Sequence, residues 1–82
     1  MFISISFLGL HRKLINSNNI RVRLTEQIQN ISDLFKYLND KYPELPLNRN
    51  SVIVTVNNVE SSFDYKLKEN DEVLFMPHIG GG

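Results

Sequence analysis

The chain has no cysteine and no tryptophan, carries no formal net charge, and contains only four glycines in 82 residues. Each shortage removes a class of function. Without Cys there is no disulfide framework, no thiolate zinc site and no cysteine nucleophile. Nine Lys plus Arg against nine Asp plus Glu leave no basic excess of the kind nucleic-acid binders use on phosphates. No apolar run approaches the roughly 18 residues of a membrane-spanning helix, and no basic stretch followed by an apolar one opens the chain. The expectation is a soluble cytoplasmic domain with neither nucleic acid nor membrane as partner. A chain of 9.5 kDa has room for one domain, burying roughly 60–65% of its unfolded surface. A two-domain enzyme with its own cleft does not fit. What glycine there is sits in one place: Gly80, Gly81 and Gly82 are three of the four.

The patterning that is present alternates between two periods. Ile3, Ile5 and Phe7 alternate with Ser4 and Ser6, which predicts a strand over residues 2–8. Leu10, Leu14 and Ile15 share one helical face, so a short helix is expected before the polar stop at residues 16–19. Ile20, Val22 and Leu24 alternate with Arg21 and Arg23, giving a second strand with one wet face. Asn30 is the expected N-cap of the main helix, with Asp33 completing a capping box. Ile31, Leu34, Phe35, Leu38 and Tyr42 form its apolar stripe, and Pro43 ends it. Residues 43–50 read as loop. The β-branched run over residues 51–56 predicts a strand covered on both faces. Asn57 and Asn58 form a tight turn into a short return strand at Val59 and Glu60. Leu67 is expected to plug the core, and residues 69–71 to turn into a last strand over residues 72–76, with Pro77 ending the pairing. This order describes an α+β β-grasp (ubiquitin-like) architecture: a mixed sheet of about five strands, one main helix and one short helix. The expected division is a domain over residues 1–77 and a flexible tail over residues 78–82.

Two readings of the tail are open from the residues alone. One is a frayed end or a linker remnant. The other is a thin tether, because a run of residues without Cβ atoms passes through a channel too narrow for side chains. Such a tether delivers the Gly82 carboxylate into another protein's active site, where it needs activation, for example as an acyl-adenylate. The last strand favours the tether. If Val73 and Phe75 point inward, Leu74 and Met76 point away, and Leu8 joins them if the first strand lies beside the last. An apolar patch near the tail root reads as a docking surface, and Met suits adaptable contacts.

The residues Leu8-Gly9-Leu10-His11-Arg12, Asn30 to Leu34 with Leu38 and Tyr42-Pro43, Val56-Asn57, Phe63-Asp64 to Leu67, and Asn70-Asp71-Glu72-Val73 with Phe75, Met76 and Pro77 before the glycines resemble the MoaD/ThiS family. The resemblance spans the chain and is closer to the MoaD branch. Gly81 and Gly82 match the family diglycine, Gly80 stands where Ala, Ser or Thr is common, His78 replaces a second proline, and Asn70 replaces a turn glycine. The resemblance implies a sulfur carrier, the small subunit of molybdopterin synthase, which binds no cofactor of its own. A MoeB/ThiF-like adenylating enzyme uses ATP on the Gly82 carboxylate, and a sulfur donor protein converts it to a C-terminal thiocarboxylate. The tail then enters a MoaE-like large synthase subunit and gives sulfur to the pterin precursor of the molybdenum cofactor. The implied roles are Gly82 as acyl carrier, Gly80 and Gly81 as tether, and Leu8, Leu74, Met76, Pro77, His78 and Ile79 as partner-binding residues. The chain is then a noncatalytic subunit rather than an enzyme by itself.

Other candidates carry less. His11 and His78 have no third ligand near them in sequence, Asp71-Glu72 is a turn signal before it is an acid/base dyad, and no Gly-rich loop joins a strand to a helix. Two alternatives to the synthase subunit stand. One is a related carrier or protein modifier, serving tRNA thiolation, thiazole or amino-acid sulfur transfer, or isopeptide conjugation. The other is a β-grasp interaction module whose glycine end is incidental.

Overall fold

The computed structural model describes residues 1–7, 19–43, 50 and 52–77. Alternation at the N-terminus becomes β1 (Phe2–Phe7), whose even residues are partly or fully exposed and whose odd residues are buried. It pairs antiparallel with β2 (Asn19–Arg23). The helix α1 (Ile31–Lys41) follows, then β3 (Val52–Val56), the two-residue β4 (Val59–Glu60) and β5 (Glu72–Pro77). The sheet order is β2-β1-β5-β3-β4, with β5 parallel to β1 and antiparallel to β3. This is the expected β-grasp plan. The expected short helix over Leu10 to Ile15 lies outside the described residues, as does most of the loop after Pro43.

The helix begins where its cap chemistry places it. The Asn30 side chain accepts from the Asp33 backbone N–H at 2.8 Å, and the Asp33 carboxylate accepts from the Asn30 N–H at 3.3 Å. Two amides that lack intrahelical partners are satisfied by this reciprocal pair. The next two are met by the returning chain: Ile31 N–H donates to the Tyr65 carbonyl and Ser32 N–H to the Phe63 carbonyl. The helix ends at Lys41, with Tyr42 as its C-cap.

The apolar stripe of α1 lies on one face of the sheet. Ile31, Leu34, Phe35 and Leu38 join Ile3, Ile5, Phe7, Val22, Val54, Val73 and Phe75 in the core. Phe7 and Phe75 stack with centroids 5.7 Å apart, and Phe35 meets Phe63 edge-on at 5.4 Å. Leu67 plugs the core as expected, 8% exposed. One expectation fails. β3 is not covered on both faces: Val52, Val54 and Val56 are buried, while Ile53 and Thr55 remain half-exposed. Among the described residues the one helix, α1, packs on the other face.

Positive backbone φ occurs at Asn57 (52°), Asn58 (70°) and Asn70 (68°). These three residues lie in the two turns where asparagine was expected to tolerate it. At β5, Pro77 still stands in register with Val52, one residue beyond the expected end of pairing. Proline lacks the N–H but keeps a carbonyl, so it is admissible as the final residue of a strand.

Candidate functional site

The face of the sheet opposite α1 is defined by register. Ser4 stands beside Arg21 and Glu72, Ser6 beside Asn19 and Leu74, Thr55 beside Leu74 and Glu60, and Ile53 beside Met76. On β5, Val73 and Phe75 are buried and Leu74 and Met76 half-exposed. Alternation therefore puts Leu74 and Met76 on the open face, at the end of β5 from which the chain continues to residues 78–82. Because β1 and β5 are parallel, the C-terminal ends of both strands lie at that same end of the sheet. Leu8, His78, Ile79, Gly80, Gly81 and Gly82 lie outside the described residues.

Ile53 is the member of this patch that sequence reasoning missed. It is the direct neighbour of Met76 and extends the apolar surface from β5 onto β3. The run Ser-Val-Ile-Val-Thr-Val hid it, since five apolar or β-branched residues in succession read as buried on both sides. The signal was the apolar stripe of the main helix, which covers only the face shared by Val52, Val54 and Val56.

Charge divides across this face. Arg21 and Arg23 on β2 are exposed at one side, and Glu72 and Glu60 are exposed toward the other. The Arg21 guanidinium sits 5.0 Å from the centroid of the Phe2 ring, a geometry in which the ring's negative face attracts the cation.

The opposite end of β5 is fixed by a buried carboxylate. Asp71, 5% exposed, accepts from the Asn57 amide at 2.9 Å, the Tyr65 hydroxyl at 3.1 Å and the Lys68 backbone N–H at 2.8 Å. Asn57 in turn accepts from the Glu72 N–H at 3.0 Å. Partial burial, and then the bond to Asp71, push the Tyr65 phenol above its ordinary value. Every polar atom of this cluster is committed to holding the turn, and Glu72 points to the open face. An acid/base dyad is not built here. A groove of about 670 Å³ lies between β2 and α1, lined by Val22, Ile28 and Tyr37 with Arg23, Lys36, Asp33 and Asp40 at its rim. Its lining charges are mixed in sign. Among the described residues no three His, Asp or Glu side chains gather as metal ligands, and no helix is long and apolar enough to cross a membrane.

This fold is shared with several solved proteins. The molybdopterin converting factor subunit 1 (putative) of Pyrococcus furiosus superposes with a TM-score of 0.81 at 18% identity, over 96% of this chain and 99% of that one. SAMP1 of Haloferax volcanii gives 0.78 at 15% identity, over 100% of both chains. A complex of subunits 1 and 2 of the molybdopterin-converting factor of Helicobacter pylori contains a chain that gives 0.70 at 18% identity, again over 100% of both. At such identities the likeness is one of fold. No curated protein sequence matches the chain. The ThiS family profile matches residues 6–82, nearly the whole sequence and all three terminal glycines, and the chain therefore belongs to the ThiS family of ubiquitin-like sulfur carriers.

Proposed function

We propose that this chain is the sulfur-carrying small subunit of a molybdopterin synthase, with the Gly82 carboxylate as the atom group that carries sulfur. The observation that supports it is the family match running through Gly82, beyond a last paired strand that ends at Pro77. The carboxylate is a poor electrophile, so an adenylating enzyme of the MoeB/ThiF type first joins it to the α-phosphate of ATP and releases pyrophosphate. A donor protein then supplies sulfur at the reduction level of sulfide, which attacks the acyl carbon and expels AMP. In the synthase the acyl–sulfur bond breaks, sulfur passes to the pterin precursor, and the acyl carbon regains an oxygen from water.

The open face supplies the docking half of this function. Leu74 and Met76, extended by Ile53, form the apolar surface beside the tail root, and a MoaE-like large subunit is the partner it serves. Glycine at positions 80, 81 and 82 lets the tail thread an active-site channel without steric cost. The likeness to SAMP1 favours a second reading, transfer of the activated Gly82 acyl group to a lysine amine as a modifier. Copurification separates the two. The synthase reading predicts capture of a MoaE-like subunit, and loss of pterin sulfuration when Gly82 is deleted. Intact cofactor synthesis after that deletion would sink it.

A further inference from the structure

We propose that the open face also docks a second copy of this chain, about a twofold axis that runs along β1 and passes over Ser4. The register carries the inference. Arg21, Ser4 and Glu72 stand side by side on three adjacent strands, a cation and an anion flanking a small neutral residue. Their Cα positions are separated by two strand spacings, about 10 Å. Neither charge is ion-paired among the described residues. A half-turn about β1 exchanges the positions of β2 and β5. Arg21 of each copy then faces Glu72 of the other, twice by symmetry, which is the self-complementarity an isologous interface requires.

The same axis organises the rest of β1. Phe2, Ser4 and Ser6 all point to the open face, and each meets its own counterpart. Phe2 is 43% exposed, so pairing it with the other copy's ring removes aromatic surface from water on both sides. Ser4 and Ser6 are short, which lets two sheets approach to about 10 Å while longer neighbours interdigitate. Leu74 comes over the β2 strand of the other copy. The formal net charge of zero means that no long-range repulsion opposes the approach. Because β5 contributes to this interface and to the proposed docking surface, the dimer and the synthase partner compete for the chain. That consequence rests on the carrier reading; the dimer itself does not.

Sedimentation equilibrium and light scattering on the full chain test it across a wide concentration range. The expected result is a rise in mass from 9.5 kDa toward twice that value, reversed by high salt, which screens exposed ion pairs. Arg21→Glu and Glu72→Arg alone are each expected to abolish the dimer, since each places like charges opposite one another. Mixed in equal amounts, the two variants are expected to recover it as a heterodimer, and that recovery cannot come from misfolded chains. A monomer at every concentration overturns the proposal, as does a dimer that survives either single reversal. Thiocarboxylate formation on Gly82 by intact mass is read separately, so failure of the dimer and failure of the carrier reading are distinguishable.

Discussion

The Asn57 side-chain amide donates to the buried carboxylate of Asp71 at 2.9 Å, tying the β3–β4 turn to the start of β5. The two residues are fourteen apart in sequence, and Asn57 also holds positive φ at the turn. Asp71→Ala leaves the Asn57 amide, the Tyr65 hydroxyl and the Lys68 N–H without their acceptor. Stability measured by urea denaturation is expected to fall by about 1–3 kcal/mol. The chain that remains folded is expected to be activated at Gly82 as before, because Asp71 lies at the end of β5 remote from the tail.

Tyr65 gives a pH signature. Its phenol is shifted upward by burial and by the Asp71 bond, so the folded state holds this proton more tightly than the unfolded chain. The resulting stabilisation is full below the ordinary tyrosine value near 10 and is lost as pH rises through the higher folded value. Thermal melts of the wild type and of Tyr65→Phe should therefore differ in slope above pH 10 and run parallel below it. Identical alkaline slopes would contradict the assignment.

Asn30→Ala removes the acceptor for the Asp33 N–H at the start of α1 and should cost about 1 kcal/mol. Hydrogen exchange is expected to quicken first at the amides of residues 31–34, which a general loss of packing would not single out.

Much of this was legible in the residues. Period two gave β1 and β2, Asn30 and Asp33 marked the helix start, and Asn57, Asn58 and Asn70 marked the turns, because each signal is local. What escaped was non-local. Ile53 looked buried until the sheet showed which face lies against α1, and the Asp71 network depends on chain segments brought together only by folding. Ser4 between Arg21 and Glu72 is likewise a product of register, since those three residues lie on strands far apart in the chain.

Met76→Glu and Leu74→Gln alter half-exposed side chains on the open face. Each is expected to change stability by no more than about 0.5 kcal/mol. Affinity for the synthase partner, measured by calorimetry, is expected to fall at least tenfold for either change. Ile53→Gln should do the same, as the apolar surface continues across to β3. Unchanged affinity in all three would place the docking surface elsewhere.

The central claim is that Gly82 carries sulfur, and intact mass spectrometry tests it most directly. The chain is incubated with a MoeB/ThiF-type adenylating enzyme, ATP and a sulfur donor. The account predicts a product in which one oxygen is exchanged for one sulfur, located to the Gly82 carboxyl by fragmentation and absent when Gly82 is deleted. A mass that stays unchanged with each adenylating enzyme that binds the chain would contradict it.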